Sequence, residues 1–236
     1  MLKSADKALA MLRGRGVITL VPAGHVPSLV QEICGGPVRG SWWAHPQSHL
    51  IYAIASALED LPGVLTLKLL DGKVTFVHRS LWAALVRFAT DRNRRNALIA
   101  ALRPPESRLL AEVERRGELH FGGGAPPAAS IKMALERRWL CISTSEHTPS
   151  GRHATVLRSW RHWADPELLR AARTLTFEGA RHRLVAACGE LGDADPATEA
   201  ARKGPTGSGK RTLAVTIEGG TAAARKRNNR GASPRA

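Results

Sequence analysis

The sequence predicts an α+β protein, mostly helical with short β-hairpins, that contains two similar halves followed by a basic tail. Three observations predict it. Apolar residues recur at helical spacing through much of the chain. Two β-prone runs flank Asp71-Gly72, a strong short-range signal for a hairpin. The dipeptide Arg-Gly precedes a short, half-apolar run at Arg15-Gly16 and again 101 residues later at Arg116-Gly117.

The first half is predicted to contain a helix, a short strand, two helices and a hairpin. Glycines and prolines mark the ends of these elements, as Gly16 does for the first helix. The strongest helix carries a single apolar stripe that includes Ile51, Ile54 and Leu58. The predicted ranges are helices 3–13, 27–33 and 46–61 and strands 17–21, 64–70 and 73–78. This is the order of a winged helix-turn-helix domain, in which the third helix can enter a major groove and the hairpin forms the wing.

The second half repeats most of this order. The predicted ranges are helices 106–116 and 128–138 and strands 118–121, 139–145 and 153–160. Only a Gly- and Pro-rich run, 122–127, occupies the place of the middle helix, so the completeness of this unit stays open. The predicted organisation is a first winged-helix unit with a trailing helix (1–90), a linker (91–105), a second winged-helix-like unit with a C-terminal helix at 166–188 (106–189), and a flexible basic tail (190–236).

Charge is the feature of the composition that points to a partner. The formal net charge is +15 and the isoelectric point is near 11.1, which favours polyanions, with DNA the first expectation and RNA the second. Residues 198–236 hold nine basic residues against two acidic ones and no aromatic residue, so this stretch is predicted to be mobile. The 43% hydrophobic content still provides for a folded body and excludes wholesale disorder.

Several other kinds of site and location are excluded by pattern. Three separated cysteines fit neither a disulfide framework nor a zinc site, which suggests a cytoplasmic protein. The longest uncharged run, 40–58, is too polar to span a membrane. The run 204–210 resembles a phosphate-binding loop but is followed by Arg211 and follows no strand, so no nucleotide cofactor is expected. His45 and His49 lack a third ligand nearby, so no metal is expected.

Candidate contacts to nucleic acid lie on the predicted third helices and wings. In the first unit, neutral hydrogen-bonding side chains stand at the start of the helix and cations on the wing; in the second, cations occupy both elements. The candidates are Gln47, Ser48, Tyr52, Lys73, Arg79, Lys132, Arg137, Arg138 and Arg152. Trp42 and Trp43 could stack on bases, or they could instead pack the domain.

Three stretches carry a resemblance to a known family. Residues 39–46 (Arg-Gly-Ser-Trp-Trp-Ala-His-Pro), 72–82 and 146–153 resemble an uncharacterised bacterial family of winged-helix type, which would cover residues 1–188. The tandem arrangement is distantly similar to bacterial winged-helix DNA glycosylases, which remove alkylated or crosslinked bases. Those enzymes use a Gln-x-Gln or Gln-x-Asp pair. Here Gln31 precedes Glu32-Ile33 and Gln47 precedes Ser48-His49, so no catalytic residue carries over.

Three functions therefore stay open at the level of sequence. The first is a nucleic-acid-binding protein, with DNA as the main ligand, that makes mainly phosphate contacts through both units and the tail. The second is a repair-type glycosylase acting on a damaged base, with Trp42 and Trp43 lining its pocket. The third is a winged-helix module for protein interaction whose tail contacts RNA. No catalytic residue is selected by any motif, and the oligomeric state is open.

Overall fold

The structure, a computed structural model, describes residues 2–121, 129–147 and 153–196. It confirms an α+β protein with two small antiparallel sheets. The helices are α1 (Ala5–Arg15), α2 (Leu29–Cys34), α3 (Ser48–Glu59), α4 (Trp82–Ala89), α5 (Arg92–Ala100), α6 (Pro104–Arg116), α7 (Ala129–Arg137), α8 (Trp160–Trp163), α9 (Pro166–Arg173) and α10 (Phe177–Cys188). The strands are β1 (Val17–Thr19), β2 (Val64–Lys68), β3 (Val74–His78), β4 (Glu118–Phe121), β5 (Ile142–His147) and β6 (His153–Arg158).

Three parts of the sequence-based expectation lie outside the described residues. These are most of the predicted tail, from residue 197 onward, the Gly- and Pro-rich run that follows β4, and the turn of the second predicted wing at 148–152. Within the described ranges, no helix is both long enough and apolar enough to cross a bilayer.

The repeated Arg-Gly dipeptide marks the same structural point in both halves. Gly16 ends α1 with φ 76° and Gly117 ends α6 with φ 83°, values that favour glycine. A strand begins at the next residue in each case. The carbonyl of Gly16 accepts a hydrogen bond from the His78 amide, and that of Gly117 from the Ser159 amide, both at 2.9 Å. The sequence alignment of the halves therefore corresponds to a structural repeat.

Both sheets have the same strand order. The first is β1-β3-β2 and the second is β4-β6-β5, antiparallel throughout. In the first hairpin, Asp71 (φ 49°) and Gly72 (φ 71°) form the turn, and the Lys73 amide donates to the Leu70 carbonyl at 2.8 Å. The predicted Asp-Gly hairpin is confirmed, since this geometry twists a two-residue turn to match the flanking strands.

The first sheet is buried on both faces. Ile18 and Phe76 face α1, α2 and α3 and belong to one apolar core. Val17, Leu65 and Val77 point the other way, as alternation along a strand requires, and belong to a larger core. That larger core also contains apolar residues of α4, α10 and the second half, so the two halves share it. The described residues fall within a single compact unit.

The C-terminal segment predicted as one helix over 166–188 is instead two helices. α9 ends at Arg173, and the Thr176 hydroxyl then caps α10 by accepting from the Gly179 amide at 3.0 Å. The break lets both helices pack against α4, because a continuous helix would carry its second half past it. A threonine at the N-cap is a helix start signal that apolar spacing alone does not reveal.

A buried arginine fixes the joint between the halves. Arg94 of α5 is 3% exposed and lies with its guanidinium 4.5 Å from the centre of the Phe88 ring. It donates to the carbonyls of Ala89 (3.3 Å), Ala194 (2.8 Å) and Arg138. Burial, with the nearby Arg95 charge, lowers the pKa of Arg94 to about 9, so the group is still protonated at neutral pH. It thereby ties together α4, the end of α7 and the last described turn.

Candidate nucleic-acid interface

An aromatic patch lies at the start of α3. It consists of Trp42, Trp43 and Tyr52. The two indole rings stack with centroids 3.9 Å apart, and Trp43 stands 5.9 Å from the Tyr52 ring. Trp43 is 62% exposed and Tyr52 is 57% exposed. Among the described residues, Met133 is the one other large hydrophobic side chain that is exposed, so the patch stands out from the rest of the surface.

A short 3₁₀ turn builds this patch. Trp42–Ala44 forms the turn, and the His45 amide closes it by donating to the Trp42 carbonyl at 3.1 Å. Pro46 follows and α3 starts at Ser48, so Tyr52 stands on the second turn of the helix. Trp42 is partly buried against the core of α1, α2 and α3. The alternative that both indoles pack the domain therefore applies to Trp42, whereas Trp43 is available to a ligand.

Some polar atoms next to the patch already make contacts within the protein or are enclosed by it. His45 Nδ1 accepts from the Gln47 amide at 3.2 Å and lies 3.4 Å from Cys34 Sγ. Gln47 caps α3 through its backbone, and its side-chain carbonyl oxygen is enclosed with no hydrogen-bond partner in the described part of the chain. Ser48 is half-buried in the first turn of α3. Gln47 must therefore turn outward before it can read a base edge, as its predicted role requires.

The far end of α3 carries negative charge. Glu59 and Asp60 close the helix and are exposed. Partial desolvation of the carboxylate by neighbouring atoms raises the pKa of Glu59, and the Asp60 charge raises it further. A phosphate chain is therefore disfavoured at this end of α3, and the start of the helix is the end that suits an anion.

The predicted wing residues of the first unit lie in two places. Lys73 is exposed directly after the hairpin turn, whereas Arg79 is exposed beyond the other end of β3. Arg79 and Arg13 of α1 both act on His78: burial lowers the pKa of His78, and the charges of Arg13 and Arg79 lower it further. Sequence reasoning did not select Arg13. Its place in the last turn of α1 is typical of a helix C-terminus and does not by itself indicate a binding residue.

The turn of the first hairpin lies against α7. A Cβ atom added at Gly72 would stand 3.5 Å from Arg137 Nε and 3.9 Å from Met133 Sδ. The fold thus places Lys73, predicted on the wing of the first unit, close to Arg137, predicted on the third helix of the second unit. A cavity of about 150 Å³ beside them is lined by Arg137 and by the acidic residues Asp71, Glu190 and Asp193, so the charge here is mixed.

Two other predicted cations of the second unit are engaged within the protein. Lys132 lies 3.8 Å from the buried Glu136 carboxylate, which also accepts from the Ser143 hydroxyl. Arg138 donates to the Ala134 carbonyl at 3.2 Å. Arg152 lies outside the described residues. Among Lys132, Arg137 and Arg138, Arg137 is the exposed residue.

Comparisons with protein-family models, with curated proteins and with solved structures found no match. The resemblance to a bacterial winged-helix family, and the more distant one to winged-helix glycosylases, stay predictions from sequence. The functional argument therefore depends on the geometry described above.

Proposed function

We propose that this chain is a tandem winged-helix protein that binds nucleic acid, with DNA as its main ligand and the aromatic patch as its main contact. The first half supports the fold through its order of helix, strand, helix, helix and hairpin and through the strand order β1-β3-β2. The second half supports it through the same strand order and through α6, α7 and the second hairpin. α3 is then the third helix of a winged helix, the element that enters a groove.

The exposure of Trp43 and Tyr52 is the observation that carries the proposal. Large aromatic side chains are usually largely buried, so two that stay exposed and adjacent mark a binding surface. Aromatic rings stack on bases regardless of sequence, each contributing about 1–3 kcal/mol. Their place at the start of α3 puts them where a winged helix meets its ligand.

The charge of the protein supports a polyanionic ligand over a protein one. The chain carries a net charge of +15, and Arg13 and Arg79 add exposed cations at the edge of the first unit. Cations of this kind release counterions from DNA, which makes affinity fall steeply with salt. A docking surface for an uncharged protein would not show that dependence.

Fluorescence anisotropy of labelled duplex and single-stranded oligonucleotides of one sequence tests the proposal. We expect log affinity to fall linearly with log salt, with a slope of several units. Deletion of residues 198–236 should flatten the slope but leave binding measurable, because the patch is retained. Trp43→Ala should weaken binding about tenfold or more through loss of stacking.

His182→Ala is the matched control, since His182 also carries an exposed ring but lies on α10, a helix that holds none of the candidate contacts. It should leave affinity within about twofold of the wild type, which is within the usual range for a residue outside the contact. Binding that is insensitive to salt, or that Trp43→Ala and His182→Ala weaken equally, contradicts the proposal.

A further inference from the structure

A second surface of the protein concentrates arginines around a cavity. The cavity, of about 510 Å³, lies between α4, α8 and α9. Arg87 and Thr90 line it from α4 and its end, Arg161 from α8 and Arg173 from α9. An adjoining cavity of about 320 Å³ shares Thr90 and Arg161 and adds Arg95. We call the two together the arginine groove.

Two of the four arginines are held in place by the protein. Arg87 donates to Asp91 at 3.0 Å and to the Leu175 carbonyl at 3.0 Å. Arg95 pairs with Glu114 and donates to the Leu140 carbonyl at 3.3 Å. Each of these charges is balanced by one carboxylate, and each side chain is fixed by two contacts. They form the preorganised part of the groove.

The other two arginines are not balanced. Among the described residues, neither Arg161 nor Arg173 has a hydrogen-bond or ion-pair partner, and both are exposed. Arg161 also lies close enough to Arg95 to affect its protonation: burial lowers the pKa of Arg95, the Glu114 carboxylate at the edge of the groove opposes that shift, and the Arg161 charge adds to it. The groove thus holds like charges at short range that an anion would neutralise.

The apolar walls between the arginines would strengthen the attraction between an anion and the guanidinium groups. Val86, Leu169 and Ala172 line the cavity beside the guanidinium groups, and Ala172 is buried. Charge–charge attraction is stronger next to apolar walls than in open water. The planar guanidinium fork matches two oxygens of a phosphate at once.

We propose that the arginine groove binds a phosphate group. Arg161 and Arg173 attract and contact the phosphate oxygens, and Arg87 and Arg95, each held by its carboxylate partner, form the fixed walls beside them. The phosphate can be free or part of a nucleic-acid backbone. This site is separate from the aromatic patch and does not depend on the function proposed for that patch.

Isothermal titration of the full chain with inorganic pyrophosphate, and with a phosphodiester oligonucleotide, tests the proposal. The groove variant is Arg161→Gln/Arg173→Gln. The control variant is Arg170→Gln/Arg183→Gln, which removes the same charge from exposed positions on α9 and α10 that do not line the cavity. We expect the groove variant to lose about tenfold in affinity and the control to stay within about twofold of the wild type.

The two ligands separate the sources of phosphate. If the groove variant loses affinity for pyrophosphate, the groove binds free phosphates. If it loses affinity for the oligonucleotide alone, the groove binds the phosphates of a nucleic-acid backbone. The proposal is overturned if the groove variant and the control variant have equal affinity, or if the wild type binds neither ligand. Trp43→Ala should leave pyrophosphate affinity unchanged, so failure of the aromatic patch and failure of the groove can be told apart.

Side-chain NMR of the wild type keeps the test valid if the groove variant does not fold. On addition of pyrophosphate, the Nε–H signals of Arg161 and Arg173 should shift before those of Arg170 and Arg183. Simultaneous shifts of all four, or shifts confined to the control pair, contradict the proposal.

Discussion

The two sheets share a strand order but differ in what covers them. In the first, both faces are apolar: Phe76 packs toward α1, α2 and α3, and Val77 packs toward the shared core. In the second, Leu119 and Leu157 pack toward α6 and α7. The opposite face carries Glu118, which accepts from Arg158 at 2.8 Å and lies 2.9 Å from His120 Nε2.

This difference shows that two sheets with the same strand order can carry apolar side chains on both faces in one case and a charged network on one face in the other. Val17 and Glu118 occupy equivalent positions, each directly after the helix-ending glycine. Val17 is 1% exposed in the shared core, whereas Glu118 is part of an ion-pair network. The aromatic patch likewise belongs to the first half. The repeat thus conserves strand pairing while the two halves present different chemistry.

Arg94→Met should strongly destabilise the protein, because it removes hydrogen bonds that join the two halves. The substitution leaves three carbonyls without their donor, and we expect a loss of about 3–5 kcal/mol. Denaturant unfolding followed by circular dichroism measures it. Arg92→Met, an exposed position on the same helix, should change stability by less than about 0.5 kcal/mol. A small effect of Arg94→Met would show that the joint is held elsewhere.

The pair Phe76→Ala and Phe121→Ala compares the sheets directly. Phe76 is fully buried, and its truncation should cost about 3–5 kcal/mol through lost burial and the cavity left behind. Phe121 is partly exposed at the end of β4, so its truncation should cost about 1 kcal/mol. Equal losses in a denaturant titration would contradict the difference in burial between these two rings, each on the helix-covered face of its sheet.

The repeated glycines, Gly16 and Gly117, provide a second pair of substitutions, with smaller expected losses of stability. Alanine at either position must adopt a positive φ, which costs about 1–2 kcal/mol. At Gly16 the added Cβ would also lie 2.8 Å from Cδ1 of Leu81, a side chain packed against the shared core. At Gly117 it would lie 2.5 Å from Nδ1 of His162, which is exposed and can rotate away. Gly16→Ala should therefore lower the melting temperature more than Gly117→Ala; the reverse order would count against this packing.

The smallest expected effect is a pH dependence confined to the second sheet. Hydrogen bonds from His120 and then Arg158 lower the pKa of Glu118 from 4.5 to about 2. A lowered folded-state pKa contributes stability that is present above 4.5 and is lost as the pH falls toward about 2. Glu118→Gln should lower stability near neutrality and flatten stability against pH in that window, so that variant and wild type converge as the pH falls toward about 2. An identical acid profile for variant and wild type would exclude the contribution.

Much of the fold could be predicted from sequence because its signals are local. Helical spacing, the Asp71-Gly72 turn and the two helix-ending glycines fixed the order of elements in both halves. The break before Thr176 was missed because apolar spacing continues across it. Pairing of β1 with β3 is a long-range event for which the chain carries no local signal.

The candidate site could be predicted only in part. Trp42, Trp43 and Tyr52 were each selected, but their stacking depends on how the 3₁₀ turn folds back on α3. Lys132 was expected on the surface, yet it pairs with Glu136, because Glu136 stands one helical turn away and is buried. Arg94 lies in a polar run typical of a solvated helix, and nothing local distinguishes it from exposed Arg92. Pairing and burial are set by tertiary packing, which these patterns do not encode.

Photocrosslinking tests the central claim most directly. An oligonucleotide containing 5-iodouracil, which couples to aromatic side chains in contact with it, is bound to the full chain, irradiated and mapped by mass spectrometry. The aromatic patch predicts adducts on Trp43 or Tyr52 that disappear at high salt. Adducts that map only to other aromatic residues, with Trp43 and Tyr52 unmodified under conditions of full binding, would contradict it.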